Sequence, residues 1–342
     1  MAKIYLDNAA VTPPLPCALE AYREVPFGNP SSEHMMGQSA RVALETARYT
    51  IAKCMDCESE EIYFTSTATE AAATTIRTLE KNKYKVVTSL VEHHAISENV
   101  EKHYHNNKFA FARMLANNET GELYSKPALY GDRLICDATA AVGHVPVSFK
   151  NFGADYLIAD GIKFGSVPGA AFLIAKHNAP LAPLIRGGGQ ERGMRSGTEN
   201  VPAICAMAAA LEWQIEHMKE NTAKLSSLFV VFQSEFSKID GVLWNTPLER
   251  PHLPHILNVS FMGVDAHALA LLLSREGVMV SAGAACSNGL NEPSHVIMAM
   301  FNDEARARSA IRISLSHENT MQECEQAAEK IAEAVKHLRS LN

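Results

Sequence analysis

Residues 156–165 read YLIADGIKFG, in which an apolar run is followed by a short turn that carries Asp160 and Lys163. A run that is apolar on consecutive positions, here residues 156–159, predicts a strand that is buried on both faces. Strands of this kind are typical of parallel sheets covered by helices, and ligands bind such sheets at the carboxyl ends of the strands. The stretch therefore predicts an α/β fold with a site near residues 160–163.

The neighbouring sequence repeats the same alternation of strand and helix patterns. Further strands are predicted at residues 61–64, 85–89, 109–115, 133–136 and 171–174, and helices at residues 38–54 and 68–79. This order predicts a large domain with a mostly parallel sheet. After Gly197, helices are predicted at residues 201–217, 223–238, 266–276 and 321–338, and strands at residues 256–261, 278–281 and 311–315. That pattern predicts a smaller α+β domain.

A proline-rich loop at residues 247–254 marks the domain boundary, because proline is a strong sign of a loop between elements. We predict a large domain at residues 12–245 and a small domain made of residues 1–11 and 246–342. The N-terminal strand could pair with either domain.

The overall composition excludes several classes of protein. The 342 residues carry 31 Lys and Arg against 38 Asp and Glu, a net charge of −7, which argues against a nucleic-acid partner. The longest apolar stretch, residues 203–211, is far shorter than the ~20 residues that span a bilayer. We expect a cytoplasmic protein, since seven cysteines and no signal-peptide pattern do not suggest a secreted disulfide framework. Cys54 and Cys57 form the sole CxxC pair, so no metal site is predicted.

Lys163 and Asp137 each follow a predicted apolar strand. The carboxyl ends of the strands are where ligands bind in open α/β sheets. A lysine among apolar residues can form an imine with an aldehyde, and an acid can keep a pyridine nitrogen protonated. Together the two residues predict a pyridoxal 5′-phosphate site. Taken singly, the lysine could lie on an exposed loop and the aspartate could cap a helix.

Two further segments follow predicted strands. Residues 65–70, TSTATE, combine a hydroxyl-rich turn with a helix N-terminus, which favours anion binding or a capping box with Ser66 or Thr67 as the cap. His93 could stack on a flat ring or be structural.

Three other features could carry chemistry in addition to the predicted cofactor site. The loop at residues 186–198 is dense in glycine and arginine, which suggests close approach to a ligand or a second subunit, or a plain surface loop. Cys286 lies among small residues, so an accessible nucleophilic thiol is expected there. Arg312 lies within an apolar strand, and it needs either a substrate carboxylate or an internal ion pair.

Taken together, the chain resembles the NifS-like cysteine desulfurases, which belong to the class V aminotransferase branch of the fold-type I pyridoxal phosphate enzymes. The resemblance runs nearly end to end. It rests on residues 5–10 (YLDNAA), 27–32 (FGNPSS), 64–66 (FTS), 68–70 (ATE), 92–93 (EH), 117–119 (NNE), 137–139 (DAT), the loop 187–198, and Cys286 with residues 292–294 (EPS).

The resemblance implies a role for each matching residue. Lys163 would bind the cofactor aldehyde, Asp137 its ring nitrogen, His93 its ring face, and Thr69 with the Ala68 backbone its phosphate. It further implies that Asn118 contacts the cofactor ring and the substrate, that Asn8 and Arg312 hold the substrate carboxylate, and that Thr198 reaches the phosphate of a neighbouring subunit in a homodimer. Cys286 would accept sulfur from L-cysteine as a persulfide, releasing L-alanine, and would pass it to a sulfur-acceptor protein, for example in iron–sulfur cluster assembly.

The chain departs from the family pattern at three cofactor-binding positions. The family has Gln at the position of Ala140 and Ser-Gly-His-Lys where this chain has Asp160-Gly161-Ile162-Lys163. The segment between His93 and Asn118 is also shorter than usual. Because a carboxylate repels a phosphate dianion, Asp160 leaves open a catalytically weak regulatory or binding relative. A selenocysteine lyase or a β-lyase is the other alternative, since a shared fold does not fix the reaction.

Overall fold

The computed structural model describes residues 3–101, 108–127, 131–283 and 292–341. The chain packs as two compact units. The large unit comprises Thr12–Leu115 and Tyr124–His217, and the C-terminal unit comprises Met1–Val11, Ala116–Leu123 and Met218–Asn342. No helix in the described part of the chain combines the length and the apolar character that crossing a bilayer requires.

The secondary structure of the described residues alternates as the sequence predicts. The strands are β1 (Ile4–Tyr5), β2 (Ile62–Thr65), β3 (Tyr84–Thr88), β4 (Lys108–Met114), β5 (Arg133–Asp137), β6 (Tyr156–Asp160), β7 (Ala171–Ala175), β8 (Val242–Trp244), β9 (Ile256–Phe261), β10 (Val278–Met279), β11 (Ser281–Ala282) and β12 (Ala310–Ser314). The helices are α1 (Pro16–Glu24), α2 (Met35–Met55), α3 (Ala68–Lys81), α4 (His94–Ser97), α5 (Phe149–Phe152), α6 (Val201–Phe236), α7 (Ala266–Arg275), α8 (His295–Phe301), α9 (Glu304–Arg308) and α10 (Met321–Ser340).

A six-stranded sheet with the order β2-β7-β6-β5-β4-β3 forms the centre of the large unit. Strands β3 to β6 are parallel neighbours, whereas β7 is antiparallel to both β6 and β2. Strand β2 therefore runs in the same direction as β3 to β6, and the carboxyl ends of these five strands lie at one edge of the sheet. Every residue of β6 and β7 is buried, as the consecutive apolar runs predict.

The C-terminal unit is α+β, which confirms the second half of the predicted fold class. An antiparallel sheet has the order β11-β12-β9-β8, and β1 pairs with β10 in a separate parallel pair. The apolar core of the unit includes the buried residues Leu257, Ile311, Leu269 and Ile331 from β9, β12, α7 and α10. The N-terminal strand therefore pairs with the C-terminal part of the chain.

Two predictions about individual elements are wrong. The helices predicted at residues 201–217 and 223–238 form the single helix α6, because no proline or glycine interrupts residues 218–222 and an established helix propagates through weak formers such as Asn221. The strand predicted at residues 278–281 is divided between β10 and β11, since β1 pairs with its first half and β12 with its second.

The grouping into packing units also differs from the predicted domains. Residues 116–123 and 218–245 pack with the C-terminal unit, whereas the sequence predicts that they belong to the large domain. A packing unit need not coincide with a domain that folds alone, so the bounds 12–245, 1–11 and 246–342 stay a prediction.

Candidate active site

The predicted anion-binding turn lies between β2 and α3. Thr67 is the N-cap of α3, and its side chain accepts a hydrogen bond from Glu70 N at 3.2 Å. Of the two capping candidates, Thr67 is therefore the one used. The backbone N–H groups at the start of α3, with the positive end of the helix dipole, can bind an anion.

The side chain of Asp160, at the end of β6, is bound to the backbone of this turn. Its Oδ2 accepts a hydrogen bond from Ala68 N at 2.9 Å, and its Oδ1 accepts one from Ile162 N at 3.3 Å. The side chain is buried, and burial raises the pKa of its carboxyl group, while the nearby Lys163 opposes that rise. The Ala68 N–H that the resemblance assigns to phosphate is therefore bound to a carboxylate of the chain itself.

Lys163 ends the short 3-10 turn Gly161–Lys163 that follows β6. Its carbonyl oxygen accepts a hydrogen bond from Thr12 Oγ1 at 2.8 Å and lies 2.9 Å from His144 Nε2. Gly165 lies close behind with φ of +91°, and a Cβ there would lie 2.7 Å from Leu15 Cγ. The backbone that carries Lys163 is thus fixed on both sides by contacts that do not involve its amine.

Asp137 is the last residue of β5, the strand next to β6 in the sheet, and its side chain is buried. Its Oδ1 accepts a hydrogen bond from Thr139 N at 3.0 Å, which orients the carboxylate at the end of the strand. No described helix begins at this point, so Asp137 does not act as a helix cap. A lysine and an aspartate at the ends of neighbouring parallel strands are the arrangement that the sequence predicts.

His93 follows β3 at the same edge of the sheet. It is the N-cap of the short helix α4, and its Nδ1 accepts a hydrogen bond from Ala95 N at 3.0 Å. Because Nδ1 is an acceptor there, a neutral ring carries its proton on Nε2. His93 is half-buried, so both the structural role and the ring-stacking role are compatible with this position.

Glu92, beside His93, was not among the predicted site residues. It is 1% exposed, and Ser89 Oγ donates a hydrogen bond to its Oε1 at 2.8 Å. Burial raises the pKa of Glu92 to about 7, and the negative charge of Asp137 adds to the rise. The available signal in the sequence was an acidic residue in the loop that follows β3.

The glycine- and arginine-rich loop reaches the same end of the large unit. Arg195 Nε donates to Glu70 Oε1 at 2.9 Å, and its Nη2 donates to Ser66 Oγ at 2.6 Å, so the loop contacts the anion-binding turn. Glu191 in the loop is buried and pairs with Arg48 of α2 at 2.7 Å. Thr198 is exposed. The predictions missed Arg48 and Glu191; an arginine on the buried face of α2 was the available signal.

The predicted substrate residues lie in the C-terminal unit. Arg312 on β12 is 2% exposed; its Nη1 donates to Asn118 O at 2.8 Å and its Nη2 donates to Asp7 Oδ1 at 2.9 Å. Its Nε is buried with no hydrogen-bond partner among the described residues. Asn8 is buried and its Nδ2 donates to Ser314 O at 2.9 Å. The unit thus brings Asn118, Arg312 and Asn8 together around β12.

Two predicted site residues remain, Cys286 and Thr69. Cys286 lies outside the described residues. Thr69 is the second residue of α3, directly after Ala68, at the end of the helix that the sequence predicts to bind the phosphate.

Comparison with known proteins identifies the family. The family model described as Aminotransferase class-V matches residues 4–126 and 97–326. The chain belongs to this family. Within the class-V aminotransferases, it is 32% identical over 380 residues to the "IscS-like cysteine desulfurase" of Mycobacterium tuberculosis, with 98% of this chain and 97% of the relative covered.

Solved structures of class-V aminotransferase relatives have the same fold. A structure titled "NIFS-LIKE PROTEIN" matches with a TM-score of 0.88 and 32% identity, covering 98% of this chain and all (100%) of the other. A structure titled "SspA in complex with cysteine" matches with a TM-score of 0.76 and 25% identity, covering 93% of this chain and 100% of the other. The predicted NifS-like family and fold-type I architecture are confirmed.

Pyridoxal 5′-phosphate is the cofactor of this class-V aminotransferase, as the sequence predicts. The donor set of the large unit agrees with two parts of that molecule, since the amine of Lys163 suits the aldehyde and the buried carboxylate of Asp137 suits the ring nitrogen. The phosphate end differs, because Asp160 already accepts the hydrogen bond of Ala68 N.

Proposed function

We propose that this chain is a cysteine desulfurase that uses pyridoxal 5′-phosphate to convert L-cysteine to L-alanine. The supporting observation is that Lys163, in the turn after β6, and Asp137, at the end of β5, follow neighbouring parallel strands. The relatives that match over nearly the whole chain include a cysteine desulfurase. A structural relative titled as a complex with cysteine supports L-cysteine as the substrate.

Each residue of the large unit has a proposed part in holding the cofactor. Lys163 binds the aldehyde, Asp137 keeps the ring nitrogen protonated, and His93 lies against the ring. When bound, the cofactor supplies a ring that draws electrons from the substrate carbon atoms. Thr69 and Ala68 bind the phosphate, and Thr198 reaches the phosphate of a neighbouring subunit.

The proposed substrate residues are Arg312, Asn8 and Asn118. A guanidinium can bind a carboxylate with two parallel hydrogen bonds, and the buried Nε of Arg312 has no partner in the described part of the chain. We propose that the substrate carboxylate binds Arg312 in exchange for part of its contact with Asp7. Asn8 and Asn118 then orient the substrate.

Cys286 is the proposed sulfur acceptor. Its thiol takes one sulfur atom from L-cysteine and becomes a persulfide, while the rest of the substrate leaves as L-alanine, so all atoms are accounted for. A protein that accepts this sulfur, in iron–sulfur cluster assembly or another pathway, completes the cycle. The six described cysteines are all free thiols, which agrees with a proposed cytoplasmic location.

A homodimer is proposed from the exposed face of α2. Met35, Val42 and Tyr49 are spaced seven residues apart, so they lie on one side of the helix, and they are 82%, 66% and 65% exposed. Phe27, in the segment between α1 and α2, is 86% exposed. An apolar stripe of this size on a surface helix is typical of a protein interface, and we propose that a second copy of the chain covers it.

A product assay tests the proposed reaction. The purified chain, loaded with cofactor and given L-cysteine and a thiol reductant, should form L-alanine and sulfide in equal amounts. Pyruvate and ammonia in place of L-alanine would indicate a β-lyase. A large preference for L-selenocysteine over L-cysteine would indicate a selenocysteine lyase. Absence of all products from cofactor-loaded protein would favour the regulatory alternative.

A further inference from the structure

The N-terminal end of α3 already has two carboxylates of the chain bound to its turn. Ala68 N donates to Asp160 Oδ2 at 2.9 Å, and Ser66 N donates to Glu70 Oε2 at 2.9 Å. Helix N-termini attract anions through unpaired N–H groups and the helix dipole. In this chain, part of that capacity is used by its own side chains.

The nearby positive charges are already engaged by these two carboxylates. Arg195 contacts the turn, where it is paired with Glu70 at 2.9 Å and donates a hydrogen bond to Ser66 Oγ at 2.6 Å. The charges that act on Asp160 are Lys163, which favours its ionised form, and Asp137, which opposes it.

Asp160 is also held firmly in place. It is buried as the last residue of β6, and its second oxygen caps the turn Gly161–Lys163 through Ile162 N at 3.3 Å. The carboxylate therefore cannot leave Ala68 without losing a second contact as well. A phosphate that binds Ala68 N–H must displace the carboxylate or lie against it, and two anions at contact distance repel each other.

We propose that Asp160 competes with the cofactor phosphate for the Ala68 N–H group, so that the phosphate contributes little to cofactor affinity in this chain. The inference rests on the cofactor of the family and not on which reaction follows. As a consequence, the affinity of the chain for pyridoxal 5′-phosphate exceeds its affinity for pyridoxal by less than the anion-binding turn would otherwise allow. Asp160 determines the size of that difference.

Binding of the two aldehydes to the full chain tests the proposal without substrate. The dissociation constants of pyridoxal 5′-phosphate and pyridoxal are measured from the absorbance of the bound ligand. Asp160→Asn keeps the shape of the side chain and an oxygen that can accept from Ala68 N, but removes the charge. It should tighten binding of pyridoxal 5′-phosphate by about tenfold or more and change binding of pyridoxal by less than about twofold.

Asp132→Asn is the matched control. Asp132 is exposed and immediately precedes β5, at the opposite end of that strand from Asp137, and its replacement changes the net charge equally. It should leave both dissociation constants unchanged. Unchanged or weaker binding of pyridoxal 5′-phosphate by Asp160→Asn, or equal tightening of both ligands, would overturn the proposal.

The unmodified chain provides a second measurement in case Asp160→Asn does not fold. Pyridoxal 5′-phosphate should bind the unmodified chain no more than about a hundredfold tighter than pyridoxal, and any larger preference would contradict competition by Asp160. Because no L-cysteine is present, failure of the desulfurase proposal would leave both measurements unaffected.

Discussion

Arg48 and Glu191 form a buried, two-point ion pair that joins α2 to the glycine- and arginine-rich loop. Arg48 Nη2 donates to Glu191 Oε1 at 2.7 Å, and its Nη1 donates to Oε2 at 2.9 Å. The same Oε2 accepts a hydrogen bond from Phe64 N of β2 at 2.8 Å. Glu191 has a positive φ of 49°, a conformation that costs energy for a residue with a side chain, so this anchor offsets local strain in the loop.

The first prediction concerns this pair. Arg48→Met should lower the free energy of unfolding by about 3–5 kcal/mol, because it leaves the Glu191 carboxylate buried without its cation. Adding Glu191→Gln should recover a large part of that loss, since Gln keeps an oxygen for Phe64 N without the charge. Urea unfolding of the parent, both single variants and the double variant measures the coupling energy, which should be about 2 kcal/mol or more.

Arg308 and Glu304, an exposed pair on α9, provide the matched cycle. The same substitutions there should give a coupling energy below about 0.5 kcal/mol. Equal coupling energies in the two cycles would mean that the buried Arg48–Glu191 pair stabilises the fold no more than the exposed Arg308–Glu304 pair does.

The second prediction concerns Lys163. Its carbonyl and not its amine is bonded to Thr12, so Lys163→Ala should fold normally and lose the visible absorbance band of bound cofactor. Lys150→Ala, which removes an exposed lysine on α5, should keep the band. A Lys163→Ala protein that retains the band after extensive dialysis would show that another amine binds the aldehyde.

The sequence predicts the strands of the large unit well because burial on both faces leaves an uninterrupted apolar run, as in β6. The positions of Asp137 and of the turn that carries Lys163 follow from the same signal, since each apolar run ends at an aspartate, Asp137 or Asp160. Neither prediction needs knowledge of side-chain direction.

Other features of the site depend on tertiary geometry that no local pattern contains. The sequence shows that Asp160 replaces a serine of the family pattern, but the bond to Ala68 joins residues 92 positions apart. The ion pair between Arg48 and Glu191 joins residues 143 positions apart. Such contacts are determined by how strands and helices pack, so only the structure shows them.

The third prediction is a pH dependence of stability that arises from Glu92. Its pKa of about 7 in the folded chain lies above the ordinary value of about 4.5, because the carboxyl group is buried. Between these two pH values the folded chain binds a proton that the unfolded chain has released. The protonated Glu92 therefore contributes to the free energy of unfolding at low pH, and this contribution is lost as the pH rises from about 4.5 to about 7. The total loss is on the order of 3 kcal/mol.

Glu92→Gln tests this dependence, because Gln can still accept the hydrogen bond from Ser89 but does not ionise. Urea unfolding should show equal stability of variant and parent near the lower pH and a more stable variant at or above the higher one. Glu98→Gln, which changes an exposed side chain directly after α4, should show no such gain in the free energy of unfolding as the pH rises. Parallel stability profiles for Glu92→Gln and the parent would contradict the prediction.

The fourth prediction tests the proposed homodimer. Val42→Glu places a charge in the middle of the apolar stripe on α2 and should convert the dimer to a monomer in sedimentation experiments. Val230→Glu makes the same change at a valine of α6 that is 58% exposed, and it should leave the dimer intact. A parent protein that sediments as a monomer, or a Val42→Glu variant that stays dimeric, would contradict an interface on α2.

The central claim is that Cys286 receives the sulfur of L-cysteine. The direct measurement is the mass of the peptide that contains Cys286 after cofactor-loaded protein has reacted once with L-cysteine in the absence of reductant. We expect that peptide to gain one sulfur atom in an amount equal to the L-alanine formed. Cys286→Ala should keep the absorbance of the bound cofactor and form neither the persulfide nor L-alanine at the parent rate. Formation of L-alanine and sulfide by Cys286→Ala at the parent rate would contradict the claim.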